Sequence, residues 1–470
     1  MAIIANQAPP PAPESAPSRR VIVKLHARLP RRAVLEALSQ NTALPNLTES
    51  FPGVSIRPYF EESLPAAATT QILSTESAPA TSVPAGGTVF DSFLAIDVPA
   101  GTDPRALARS VGDRSDVEIA YVEGGPTPPP VTPDNNPLAA NQGYLVQAPG
   151  GIDARWAWSV ADGSGIGFVD VEQGWTLDHE DLAAAKISII SGLNQAYPGH
   201  GTAVLGEVVA VDNNLGIIGI APAAATRVVS QWRTAGRYHT PEAILSALGV
   251  MRAGDVMLLE AQTTYATVPG YLPVEVEDAV FEAIRTATAS GVVVIEAGGN
   301  GNIDLDAFVD MKGRRILNRA SSDFRDSGAI MVGAASAAAP HARLSFSNFG
   351  SRIDCFAWGE LIETCGDGWT GDERNSYTPG FGGTSGASPI VTGAAIVLQS
   401  WVRQHRHCYS AAEIRNLLSH SALNTASASP ALDRIGVMPN LKAIIEWEAS
   451  RLGVAAVAVG TIPALAASGT

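Results

Sequence analysis

Cysteine is scarce in this chain: Cys355, Cys365 and Cys408 are the only three in 470 residues. An odd, small number does not describe a disulfide scaffold. Cys355 and Cys365 are close enough in sequence to bridge across a loop, and two unpaired thiols is an equally open reading. Charge is also sparse, at 16% of residues, and it leans acidic, with a formal net charge of −15. An acidic surface repels phosphate backbones, so nucleic acid is not an expected partner. Met1 to Pro13 has neither a basic start nor a long apolar run. No secretory leader is read there, and the cytoplasm is the expected compartment. The stretch 451–470 is apolar but interrupted by Gly460 and Pro463. It is read as an exposed flexible tail rather than a membrane contact.

What is abundant is apolar and turn-forming: 46% hydrophobic residues, 45 Gly and 32 Pro. That balance fits a large buried core with many turns. Residues 1–19 are Ala/Pro-rich and read as a disordered arm. From 20 to 123 the pattern is strand, helix, strand, strand, helix, strand, interrupted by a loop-like stretch at 62–87. This order predicts a small α+β domain of ferredoxin-like type. Asp103-Pro104 opens its second helix, since aspartate caps and proline suits the first turn. The proline-rich run in 124–135 supports neither helix nor inner strand and marks a linker. From 136 to 450 strands and helices alternate. Gly291-Val292-Val293-Val294-Ile295 reads as a parallel strand covered on both faces. The expectation is an α/β, doubly wound, mostly parallel sheet.

Three segments carry candidate chemistry. Phe168-Val169-Asp170 ends an apolar strand with a carboxylate. Gly199-His200-Gly201-Thr202 sets a histidine between glycines at a helix start. Gly383-Thr384-Ser385-Gly386 sets a serine at the start of a long apolar helix. Singly, each has an ordinary explanation as a cap, an exposed histidine or an N-cap. Together they are more specific. A serine hydroxyl is a weak nucleophile that needs a base, and the base needs a partner to fix its tautomer and stabilise its cation.

In that order the segments resemble the signature blocks of the subtilisin-like serine peptidases, the subtilases. The aspartate block is Gly163 to Asp170, followed by His179-Glu180-Asp181-Leu182. Gly199 to Gly206 and Asn213 to Pro222 continue the likeness, and Gly383 to Pro389 is similar to the Gly-Thr-Ser-x-Ala-x-Pro block. The resemblance spans roughly 136–443. It implies a peptidase acting on protein or peptide substrates, with Ser385 as nucleophile, His200 as base and Asp170 orienting the histidine. Asn300, after the buried strand, is implied as oxyanion donor. Glu260-Ala261-Gln262 stands where the family often has Ser-Leu-Gly on its substrate-binding strand. Glu260 and Glu296 raise the idea of a preference for a basic residue before the scissile bond. Asp181 and Asn213 match positions that help to bind calcium in some subtilases; no other cofactor is implied. One departure is plain: after Asp170, the family's Ser/Thr-Gly is replaced by Val171-Glu172-Gln173-Gly174-Trp175, so the turn must differ. Residues 20–123 resemble the family's propeptide domain, which implies that the chain's own N-terminal domain occupies the substrate groove. A second reading follows from that: a self-inhibited scaffold that never turns over.

Overall fold

The computed structural model describes residues 20–26, 31–40, 44–59, 89–99, 101–122, 131, 133–265, 268–405 and 407–454. The expected arm at 1–19, the loop at 62–87, most of the linker and most of the tail lie outside these residues. The chain divides into two compact units after Pro129.

The first unit holds strands β1 (Arg20–Leu25), β2 (Ser55–Pro58), β3 (Phe93–Asp97) and β4 (Val117–Val122), with helices α1 (Arg31–Ser39) and α2 (Pro104–Gly112). The sheet order is β2-β3-β1-β4, antiparallel throughout. That is the ferredoxin-like arrangement expected from the β-α-β-β-α-β order. Asp103 accepts from the Arg105 amide at 2.9 Å and Pro104 opens α2. Val21, Val23, Leu94, Ile96, Leu107 and Val111 form the core.

The second unit is built on nine strands: β5 (Gly167–Glu172), β6 (Ser188–Ser191), β7 (Ala225–Ser230), β8 (Val256–Leu259), β9 (Val293–Ala297), β10 (Ile330–Ala335), β11 (Cys355–Trp358), β12 (Thr425–Ala426) and β13 (Val437–Met438). Their order is β12-β13-β11-β10-β9-β8-β5-β7-β6. Every pairing is parallel except the edge pair β12–β13. The main helices are α3 (Pro198–Val209), α4 (Thr240–Leu248), α5 (Asp278–Ala289), α6 (Thr384–Gln404), α7 (Ala411–Leu418) and α8 (Leu441–Leu452). Burial of β8, β9 and β10 is complete along their length, as a sheet with helices on both faces requires. From β5 the chain runs outward through β6 and β7, then crosses to β8 on the other side. In open α/β sheets, sites form at the carboxyl ends of strands where the order reverses in this way.

The chain ahead of α5 runs through a 3₁₀ turn at Val274–Val276 and becomes α5 only at Asp278. The Glu275 amide is taken by Glu296 Oε1 at 3.0 Å, which holds this segment away from the helix axis. Cys355 and Cys365 are separate buried thiols, and Cys408 is exposed. Among the described residues no helix is long and apolar enough to cross a membrane.

Candidate active site

The site gathers at the carboxyl ends of β5, β8 and β9 and the amino ends of α3 and α6. A cleft of about 300 Å³ there is lined by His200, Gln262, Asn300, Trp369, Phe381 and Ser385, among others. A roomier cleft of about 760 Å³ lies elsewhere, between α5 and α7. Its Arg319 and Arg415 are spent on Asp354, and it contains none of the residues singled out by sequence.

His200 is the third residue of α3, which opens on Pro198. Its amide donates to Trp369 O at 2.9 Å. Its ring meets Phe381 edge-on at 5.4 Å and Trp369 at 6.4 Å. Both flanking glycines are forced by space. A Cβ on Gly199 would strike Asp367, and one on Gly201 would strike the Gly174 carbonyl and the Trp175 ring.

The carboxylate that meets this imidazole is Glu172. Its Oε2 lies 2.8 Å from His200 Nδ1, with the glutamate side chain 2% exposed. This corrects the assignment of Asp170. The two residues are two apart on β5, so both face the same side. Asp170 sits one step deeper, fully buried, and its Oδ2 accepts from Trp175 Nε1 at 2.7 Å. Burial, reinforced by the Glu172 charge, pushes its carboxyl well above the usual range. Glu172 closes the strand, where Gln173 and Gly174 turn the chain. Gly174 approaches Ala196 O too closely to carry a side chain. The signal was in the sequence: Glu172-Gln173-Gly174 has the carboxylate-x-Gly form that Asp170 lacks.

Burial works against an imidazolium at His200. The Glu172 contact, with help from Glu260 and Asp170, outweighs it, and the pKa is pushed up to about 9.

Ser385 stands in the first turn of α6, after Gly383 at φ +81°, a left-handed conformation suited to glycine. Asn300 follows β9. Its Oδ1 accepts from Thr384 N at 2.9 Å and Thr384 Oγ1 at 3.2 Å. That fixes the amide, so that its Nδ2 donates to Gln262 Oε1 at 3.2 Å while Asn300 N donates to the same atom at 3.0 Å.

Of the three residues expected on the substrate wall, Gln262 alone lines the cleft. Ala261 is buried in the core beneath β8, and Glu260 is 5% exposed. Glu296 is fully buried and bound to the Glu275 amide. Neither glutamate faces the cleft, which removes the basis for a preference for basic residues.

Asp181 and Asn213 do come together, but not as a calcium cage. Asp181 Oδ2 accepts from Ile217 N at 2.9 Å, and Asn213 Oδ1 accepts from Leu215 N at 2.9 Å. Asn213 Nδ2 donates to Glu180 O at 3.0 Å. A hard cation takes six to eight oxygen ligands; two of these side-chain oxygens already accept backbone amides in closing a loop, and Asp181 Oδ1 is left buried without a hydrogen-bond partner among the described residues. A chelator is expected to leave the melting temperature unchanged to within about 1 °C, since removing a metal that binds only the folded state would lower it. Differential scanning fluorimetry with and without EDTA checks this. Glu172, His200 and Glu260 each offer one donor atom within 4.8 Å of the others. Glu172 and His200 face one another, and Glu260 receives the Ser388 hydroxyl.

With this geometry described, comparison with known proteins is decisive. The subtilase family model matches residues 191–437, more than half the chain. The chain belongs to the subtilase family. Subtilisin BL of Lederbergia lenta is 30% identical over 232 residues, which cover 49% of this chain and 72% of that protein. Subtilisin DY of Bacillus licheniformis is 29% identical over 264 residues, covering 55% and 83%. A protease structure from Pseudoalteromonas arctica superposes with TM-score 0.50 at 20% identity, covering 67% of this chain and 99% of that one, which shows a shared fold. This subtilase is therefore a serine peptidase. The family match begins after β5, so Glu172 lies outside it.

Proposed function

We propose that this subtilase cleaves internal peptide bonds by acyl transfer through Ser385, with His200 and Glu172 completing the triad. The observation that carries the reading is His200 held against Glu172 at 2.8 Å while it shares one cleft with Ser385 and Asn300. Neutral His200 takes the Ser385 proton as Oγ attacks the carbonyl carbon. Glu172 holds the ring and stabilises its cation. The developing oxyanion is received by Asn300 Nδ2 and by Ser385 N at the helix terminus. His200 then protonates the departing amine, and water releases the acyl group. Labelling by a fluorophosphonate, lost in Ser385→Ala, tests this. Absence of labelling in the parent protein under any condition ends the reading.

Asn300→Ala is expected to lower kcat by roughly 10²–10³ with KM little changed, the range known for removing such a donor from a subtilisin. Steady-state kinetics on a chromogenic peptide checks it, and a loss confined to KM would show that Asn300 serves ground-state binding.

We further propose that residues 20–123 restrain the peptidase. The β-α-β-β-α-β order ahead of a proline-rich joint, together with the resemblance to a propeptide, supports this. Gel mass distinguishes an intact chain from one clipped between Glu123 and Asn136. Labelling that rises on clipping is the expected result.

A further inference from the structure

Glu260 has no part in the mechanism above, yet it is packed against it. It follows β8, and its amide donates to Val171 O at 3.2 Å, which sets it beside the end of β5. Its backbone carbonyl accepts from Gln231 Nε2 at 3.1 Å. The carboxyl is thereby turned toward the amino end of α6. Its Oε1 receives the Ser388 hydroxyl, and the Ser385 hydroxyl also bears on the carboxyl and favours its ionised form. The remaining oxygen, Oε2, is buried with no hydrogen-bond partner among the described residues. One carboxyl oxygen also lies within 4.8 Å of the His200 and Glu172 donor atoms.

The groups around it come from three elements: Asp170 and Glu172 from β5, His200 and Glu207 from α3, Ser385 and Ser388 from α6. His200 is the only cation among them. Glu207, seven residues beyond His200, is fully buried, and its carboxyl is raised by burial and by Glu260. Asp170 is raised as well.

We propose that Glu260 is a second proton acceptor for Ser385, serving when His200 is already an imidazolium. This rests on the Ser385 reading and extends it. Burial lifts the Glu260 carboxyl to about 7, against the pull of His200, Ser388 and Ser385. His200 holds its proton to about 9. Between those values the imidazole cannot accept a proton, and the carboxylate can. The steps balance. As Ser385 Oγ bonds to the carbonyl carbon, its proton passes to Glu260. The C–N bond breaks, and the amine takes the proton that His200 carries. In deacylation, water adds its hydroxyl to the acyl carbon and gives its proton to His200. Ser385 Oγ leaves with the proton held by Glu260, and both groups return to their starting states.

A fluorophosphonate isolates the first step, because fluoride leaves without needing a proton. In His200→Gln, labelling of Ser385 is expected to persist about 10²-fold above that of the His200→Gln/Glu260→Gln double variant. It should rise with pH along one limb. That limb lies above 7, because loss of the His200 cation makes the Glu260 carboxylate harder to form. Equal, slow labelling of the two variants overturns the proposal, as does a residual rate without pH dependence. Such results leave the Ser385 reading standing if the parent protein labels. No labelling of the parent defeats that reading first. His200→Ala serves as a second background, and matched melting temperatures show that each variant is folded.

Discussion

Glu172→Gln is expected to reduce kcat on a peptide substrate by roughly 10⁴, the scale seen when the carboxylate behind a catalytic histidine becomes an amide. The amide preserves shape but no longer stabilises the cation, and it can present N–H where the imidazole N–H needs an acceptor. Asp170→Asn is expected to cost less than about 10-fold, because an amide oxygen still accepts from Trp175 and it is Glu172, not Asp170, that meets the imidazole. If Asp170→Asn is the damaging change and Glu172→Gln is tolerated, the assignment fails. The pH dependence has a definite sign. Glu172 is the main group raising the His200 pKa to about 9. Glu172→Gln therefore moves the ascending limb set by loss of the His200 proton down, toward the ordinary histidine value of about 6.5. A histidine with a raised folded pKa stabilises the fold fully below its unfolded value. That contribution is lost as pH rises through about 9. The melting deficit of Glu172→Gln is thus largest in acid and neutral solution and narrows above pH 9. The same deprotonation that readies His200 as a base also removes its stabilising charge.

Arg352→Ala is expected to destabilise the second unit by roughly 3–5 kcal/mol, because it leaves buried carboxylates without their cation. Arg352 is fully buried. Its Nε lies 2.6 Å from Glu275 Oε1, and its Nη1 lies 2.8 Å from Asp354 Oδ2. Glu275 also receives Ser327 Oγ at 2.5 Å, and its amide binds Glu296. Asp354 is shared with Arg319 and Arg415, so it keeps partners when Arg352 is lost. Glu275 loses its only arginine, and there the penalty concentrates. Urea titration followed by tryptophan fluorescence measures the change; a loss under about 1 kcal/mol would mean that the buried carboxylates do not depend on Arg352. Glu296 lies four residues before Asn300 on the same strand and its exit. The network therefore braces the strand exit that carries Asn300, the proposed oxyanion donor, although kcat of the folded fraction should fall little.

The features legible in the sequence were those with local causes. The buried strand read at 291–295 appears as β9, Val293–Ala297, and the helix opened by Asp103-Pro104 appears as α2, because an apolar run and a cap are each set by neighbouring residues. Ser385, His200 and Asn300 lie at element ends and meet in one cleft. Glu172 was passed over because Asp170 closes the apolar run, while strand alternation gives both residues the same face. Depth along a strand, not face, decides which one reaches the imidazole, and depth depends on where α3 docks. Glu260 and Glu296 were read as groove residues for a related reason. Their partners, Ser388 and Arg352, lie far away in sequence, and only the folded packing brings them together.

On the proposed mechanism, Gln262 sets how a substrate enters. Its side-chain carbonyl already receives both Asn300 donors. A peptide carbonyl therefore does not fill an empty seat; it trades places with a tethered oxygen of similar polarity. One amide oxygen replaces another in that exchange, so the charge that develops during reaction decides the gain. A resting amide oxygen gains little over the tether, whereas a tetrahedral oxyanion gains a great deal. The glutamine thus acts as an internal competitor that discounts ground-state binding and leaves the transition state its advantage.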